Sequence, residues 1–298
     1  MLFKQVQCFT FNPPLPAAVS SLLPKMQALL FRACAPSFAS SHGWIAPIST
    51  ENASLVYSID HYWLFKLQFE EKVLPSGVIK KELDQKINEM QIKENRKIYS
   101  KEKKNLRDDI TMTLLPRAFT QISVVHACVD IKHNRLILDT LQTEKTKATL
   151  SAFKKCFEVE ATPLKLKKIP YLLTQWVKNN AAPEGVTILD TCCLQDPGVV
   201  KRRVRSQAQN VFAPPLQALI DSGLEVTQLL LNWQEALNFT LTEHLHLKNL
   251  RYSDEALAVI DEEISDSALT RFHTDFILMI KTLDKVLALL IQHFVEIP

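Results

Sequence analysis

The carboxylates are the first residues to test for chemistry. Between Ser253 and Ser267 the chain carries Asp254, Glu255, Asp261, Glu262, Glu263 and Asp266 with no Lys or Arg among them. Two-metal hydrolysis of a phosphodiester needs carboxylates from separate elements that converge on ions about 4 Å apart. A single acidic helix-and-loop segment is far more often a solvated surface. Glu243-His244-x-His246 offers two imidazoles, but the sequence supplies no identifiable third ligand, and the pair reads as a hairpin turn. Six cysteines (Cys8, Cys34, Cys128, Cys156, Cys192, Cys193) make no Cys-x-x-Cys pair and read as free thiols of a reducing cytoplasm. Cys192-Cys193 and His273 read as packing residues. None of the five glycines sits in an arrangement that cradles phosphates. No nucleophile, base and orienting group assemble from spacing, so no catalytic residue, cofactor or metal is expected.

Cations carry the stronger signal. Residues 93 to 104, KENRKIYSKEKK, hold six Lys or Arg and two Glu, a net +4 against +3 for the whole chain, so the other 286 residues sum to about −1. Gly198-Val199-Val200-Lys201-Arg202-Arg203-Val204-Arg205 places four cations in five consecutive residues. If extended, it puts Lys201, Arg203 and Arg205 on one face and Arg202 on the other. Such a strand repels itself unless a polyanion covers it, and phosphates accept bidentate hydrogen bonds from Arg while releasing counterions. The bland alternatives are edge protection or an acidic protein partner for the strand, and a solvated helical face for residues 93 to 104.

The elements that position these groups can be read from periodicity. Trp63, Phe65, Leu67 and Phe69 alternate with more polar neighbours, the period of a half-buried strand. Ile79, Leu83, Ile87 and Met90 then recur at helical spacing, with Ser76 as the expected N-cap, and Ser100 with Glu102 is expected to cap a second helix. Residues 76–115 therefore read as a charged helical hairpin between strands. Strands are expected at 119–130 and 135–139, near 186–193 and 199–205, and three more between 224 and 252. Helices are expected at 144–157, 171–178, 215–221 and 266–294. The irregular order of strands and helices points to α+β. Domains are expected at 1–75 with 116–165, at 76–115 as the insertion, and at 166–298. No secretory signal or membrane span is read.

These segments resemble the bacterial recombination-associated RdgC family. The residues that carry the likeness are Gly43-Trp44 with Pro47, Glu70-Glu71-Lys72-Val73-Leu74-Pro75-Ser76, and Leu114-Leu115-Pro116-Arg117-Ala118-Phe119. Leu173-Thr174-Gln175-Trp176-Val177, Ala182-Pro183-x-Gly185 and Phe272-x-x-Asp275-Phe276-Ile277-Leu278-Met279 extend it over nearly the whole chain. The resemblance implies curved α+β protomers with antiparallel sheets, closing as a ring-shaped homodimer around a positively lined hole. It further implies sequence-independent binding of single- and double-stranded DNA, restraint of RecA-driven strand exchange, no catalysis, and a cytoplasmic, nucleoid-associated location. DNA contacts are then expected from Lys201, Arg202, Arg203, Arg205, Lys93, Arg96, Lys97, Lys101, Lys103, Lys104 and Arg117, and a subunit contact from Phe119. A protein-interaction scaffold and a metal-dependent nuclease are the competing readings. The chain departs from its relatives at Gly77, where proline is common, at the glycine-free turn Thr242 to Leu245, and in the extra cations of residues 202–205.

Overall fold

The computed structural model describes residues 2–15, 22–48, 54–198, 202–255 and 268–296. Among these are twelve strands and seven helices in irregular order, so the chain is α+β with a large antiparallel sheet. The chain divides into two compact units. One comprises Met1–Ala17, Tyr57–Leu64 and Ala127–Pro298; the other comprises Ala18–Val56 and Phe65–His126.

The larger unit is built on β1 (Gln5–Phe11), which pairs with β6 (Arg135–Leu138) on one side and, on the other, with β12 (Leu247–Tyr252) and then β7 (Ala161–Pro163). From β12 the order continues through β11 (Leu237–Thr242), β10 (Glu225–Trp233), β8 (Val186–Gln195) and β9 (Arg203–Ser206), all antiparallel. Leu194, Val226, Leu229, Leu231, Leu237, Phe239, Leu241 and Leu247 are buried, as the alternation along a one-sided sheet requires. Two helices cover them. In α7 (Ala268–Phe294), Phe276, Met279, Ile280, Leu283, Val286, Leu287, Leu290 and Phe294 recur at three and four residues and are all buried. In α5 (Ile169–Asn179), Trp176 meets Phe294 with ring centroids 4.9 Å apart, and Thr174 Oγ1 accepts the Val226 N–H at 2.8 Å. Two further helices, α4 (Thr143–Phe157) and α6 (Pro214–Asp221), complete the unit. β3 (Tyr57–Ile59) pairs with the start of β4 (Tyr62–Val73).

In the smaller unit, the rest of β4 pairs with β2 (Ser40–Ile45). Trp44 bridges in parallel to Leu30, just beyond α1 (Leu23–Ala28), with Trp44 N–H donating to Leu29 O at 2.9 Å and Phe31 N–H to Trp44 O at 3.0 Å. Gly43 permits this approach: a Cβ there would lie 2.6 Å from the Leu30 carbonyl carbon and closer still to the Phe31 backbone. The Glu70 carboxylate accepts the Cys34 N–H at 2.7 Å, and Lys72 Nζ donates to the carbonyls of Pro36 and Leu115 at 2.7 and 3.0 Å. Much of the motif around Glu70 to Ser76 is thereby structural.

Two helices, α2 (Ser76–Glu94) and α3 (Ser100–Leu114), lie between β4 and β5 (Phe119–Asp130). Ile79 and Ile87 are buried and Leu83 and Met90 half-buried, the face that periodicity predicts. The caps differ by one residue from expectation. Pro75 precedes the first turn of α2, where its fixed φ suits a helix entry, and Ser76 is already helical. In α3 the Glu102 carboxylate reaches back to the Tyr99 N–H at 3.1 Å, so Tyr99 rather than Ser100 occupies the cap. The β4 start is also buried on both faces from Tyr62 to Phe65, so the half-buried reading holds only for its later residues.

Candidate nucleic-acid interface

The sheet of the larger unit buries one face and presents the other. Register fixes what lies there: Arg205 opposes Cys193, Cys193 opposes Gln228, Thr240 opposes Lys248, and Asn238 opposes Arg251. Together with Gln207 and Asn249 these side chains line a shallow concavity of about 390 Å³. Its lining contains three cations, several amides and hydroxyls, and no carboxylate. Arg205 and Arg251 are exposed and Lys248 is half-exposed. Among the described residues none of the three forms an ion pair. Arg205 on β9 and the two cations of β12 stand four strand spacings apart, about 19 Å along the sheet, with neutral donors between them, so they can meet separate anionic groups of one extended polyanion.

The expected basic strand is placed in part. Lys201 lies outside the described residues. Arg203 and Arg205 are exposed on β9. Arg203 Nε donates to Cys193 Sγ at 3.0 Å, a bond that raises the guanidinium pKa further and fixes the side chain on the sheet. Arg202 precedes the strand and donates to Asp196 at 3.1 and 3.3 Å, so a carboxylate already accompanies it. Asp196 is held below the usual carboxylate range by the Gly198 N–H and by Arg202.

On the smaller unit, Lys93, Lys97, Lys101, Lys103, Lys104 and Arg117 are all exposed. Arg96 differs from them. Its Nε donates to Glu94 at 2.7 Å and its two terminal nitrogens to Glu102 at 3.0 and 2.8 Å, closing the connection between α2 and α3. These bonds, with the Tyr99 N–H, draw Glu102 down to about 2. Phe119 is 87% exposed, and Ile122 and Val124 on the opposite face of the same strand are 61% and 39% exposed. The first residues of β5 thus carry apolar groups that the chain itself does not cover.

Sequence reasoning missed Lys248 and Arg251, two cations three residues apart in β12; only the sheet order from β12 through β11, β10 and β8 to β9 puts them in one concavity with Arg205. It also missed the group around Asp130. That side chain is wholly buried and accepts Arg135 Nη2 at 2.6 Å and His133 Nδ1 at 2.7 Å. Burial pushes the Asp130 carboxyl up, but the bonds from His133 and Arg135 outweigh it and hold it below its ordinary value. The Asp130 to Arg135 turn was the one local signal, since Asp130 Oδ1 accepts the backbone N–H groups of Lys132 and His133, a turn habit of Asp.

The remaining candidates resolve simply. Asp254 and Glu255 are exposed, and Asp261, Glu262, Glu263 and Asp266 lie outside the described residues. His244 and His246 sit at the β11–β12 turn with ring centroids 5.7 Å apart. There Leu245 takes a positive φ of 57° while its side chain is buried in the core. Cys192 and Cys193 are buried, with burial and then Cys193 raising the Cys192 thiol to about 11. His273 Nδ1 is 2.6 Å from the Tyr57 hydroxyl.

Fold and surface together define an α+β protein whose open sheet face holds a concavity lined by three cations and no carboxylate. A family profile described as "RdgC: Putative exonuclease, RdgC" matches residues 1–297. The recombination-associated protein RdgC of Tolumonas auensis is 32% identical over 96% of this chain and 95% of its own length. That of Yersinia enterocolitica is 28% identical, over 99% and 96% respectively. The chain belongs to the RdgC family. No described helix is long and apolar enough to cross a membrane.

Proposed function

We propose that this chain binds DNA, single- and double-stranded, through phosphate contacts without reading sequence, and in doing so restrains RecA-promoted strand exchange. The observation that carries this reading is the concavity of the open sheet face in which Arg205, Lys248 and Arg251 stand among amides and hydroxyls with no carboxylate in the lining. Phosphate contacts from Lys and Arg position a protein on DNA but carry no base information, which fits a surface with cations and no inserted recognition element. The lysines of α2, α3 and their connection supply a second positive region that raises encounter rates.

In this account the protein acts as a homodimer closed into a ring, with the apolar start of β5, Phe119 above all, at the subunit contact, and it acts by occupying DNA rather than by cleaving it. The cations then face the enclosed DNA, and the outer surface stays near neutral. The recombination-associated names of its relatives agree with a role on DNA during strand exchange.

A salt titration of DNA affinity with a magnesium-dependent cleavage assay tests the proposal. Log affinity is expected to fall linearly with log salt, equally for unrelated sequences, and the DNA is expected to stay intact. Affinity indifferent to salt would favour a scaffold for a protein partner. Processive loss of terminal nucleotides would favour the exonuclease of the family description.

A further inference from the structure

The group around Asp130 plays no part in the DNA-binding proposal, and its geometry has a different meaning. β3 and β4 are joined by a tight turn in which Asp60 has φ 51° and His61 follows it. β5 and β6 are joined by a turn in which Asn134 has φ 52°. The Ile131 N–H donates to the His61 carbonyl at 3.0 Å, stitching the two turns together. That bond brings side chains about seventy positions apart in sequence to one point. His61, Asp130 and His133 each direct a ligand atom into it, all within 4.8 Å of one another.

Two features single this group out from an ordinary ion-pair network. His61 Nε2 is buried yet has no hydrogen-bond partner among the described residues, and it stops 3.8 Å from Asp130 Oδ1, too far for a hydrogen bond. A buried ring nitrogen left in this state is rare, because its desolvation goes uncompensated. The carboxylate it faces is also held in place from behind. Asp130 Oδ2 is fixed by Arg135, which also reaches Asp284 on α7, while Oδ1 is oriented by two backbone N–H groups and turned towards His61. A metal-ligating carboxylate is commonly fixed in this way by a shell of outer hydrogen bonds.

We propose that His61 Nε2, Asp130 and His133 Nδ1 bind one zinc-class divalent cation. Tetrahedral zinc holds N and O ligands at roughly 2.1 Å, which sets ligand atoms about 3.4 Å apart. The 3.8 Å from His61 to Asp130 is close to that spacing. The imidazole side chains are 31% and 41% exposed, so they can rotate inwards by the remaining distance, on the order of 1 Å. The same exposure gives an ion access to a buried carboxylate. Asp284 Oδ1, 3.9 Å from His133 Nδ1, or a water completes the coordination. Arg135 keeps its bonds to both carboxylates, while His133 Nδ1 exchanges its 2.7 Å hydrogen bond to Asp130 Oδ2 and its 2.8 Å contact to Arg135 for the ion, its proton moving to Nε2 through solvent. Two carboxylates, Asp130 and Asp284, share the single guanidinium of Arg135, so the group has room for added positive charge.

Two imidazoles and a carboxylate select zinc, nickel or copper over magnesium or calcium, which ask for six or more oxygens. The site is therefore distinct from a magnesium-dependent nuclease centre. It ties the β3–β4 and β5–β6 turns together within the larger unit and, through Asp284, ties both to α7, so its consequence is stability.

Calorimetric titration of the full-length, chelator-treated protein with zinc chloride tests this, alongside His61→Gln, His133→Gln and a His244→Gln, His246→Gln double control. One ion per chain is expected, with a rise in unfolding temperature on binding. Each single variant is expected to weaken binding at least about 100-fold, and the control to leave it unchanged. Cobalt substituted for zinc is expected to give the visible bands of a tetrahedral N/O site without thiolate charge transfer. No saturable binding below about 100 μM zinc would overturn the assignment, since the ion then adds little stability at cellular concentrations. Unchanged binding in either single variant, provided it folds, or a thiolate band pointing to the cysteines, would also overturn it.

Discussion

Replacing Phe119 by Ser tests the proposed subunit contact. The ring is 87% exposed in the single chain, so its removal takes away nothing that the chain packs against. Surface changes of this kind alter folding stability by about 0.5 kcal/mol or less. If a second copy covers the ring, each Phe119 gains about 1.5–3 kcal/mol on burial. An isologous contact presents the residue twice, so the dimer loses about 3–6 kcal/mol, or two to four orders of magnitude in dissociation constant. Sedimentation equilibrium at micromolar protein is expected to show a wild-type dimer and a largely monomeric Phe119→Ser chain whose unfolding midpoint is unchanged. An unaltered association constant in a folded variant would refute the reasoning. So would a wild type that is monomeric at that concentration.

Three further predictions follow from particular contacts. Gly43→Ala drives a Cβ into the Leu30–Phe31 backbone, which has no flexible end to yield, and is expected to cost about 2–4 kcal/mol, read from the urea midpoint. Burial first, then His244 and Lys248, depresses His246 from 6.5 to about 4. The unfolded chain therefore takes up a proton that the folded chain refuses, and the stability this group contributes is full above pH 6.5 and is lost as pH falls from 6.5 towards 4. The undiscounted shift corresponds to about 3 kcal/mol, and partial exposure reduces it to about 1–2 kcal/mol, so His246→Gln is expected to flatten that part of the stability profile. Reversal of Lys97, Lys101 and Lys104 to Glu is expected to slow association with any DNA sequence at low salt and to relieve inhibition of RecA strand exchange, measured by stopped flow and a strand-exchange assay.

The legible elements were those whose apolar residues keep a period. Ile79 to Met90, Thr143 to Phe157 and the stripe from Phe276 to Phe294 announce helices because one face of each must leave water. β1 was not read at all, although it pairs with β6, β7 and β12. It is seven residues long, and its polar Gln7 is buried by bonds from its amide to the Thr140 carbonyl and Thr146 Oγ1, partners that only the fold supplies. Charge was legible as composition and not as availability. Arg96 and Lys97 are neighbours in one basic run, yet Arg96 is engaged by Glu94 and Glu102. Lys248 and Arg251 look unremarkable in sequence and join Arg205 only through strand register. His61 and Asp130 come together for the same reason, through a backbone bond between two turns that no spacing rule connects.

The central claim is that the cationic sheet face is what holds DNA, and its most direct test is the salt slope of affinity for Arg205→Ala, Lys248→Ala, Arg251→Ala against wild type. Each phosphate contact removed is expected to lower the slope of log affinity against log salt by about 0.9, so the triple variant should lose roughly two to three units on every duplex tried. A folded triple variant with the wild-type slope and affinity would contradict the account.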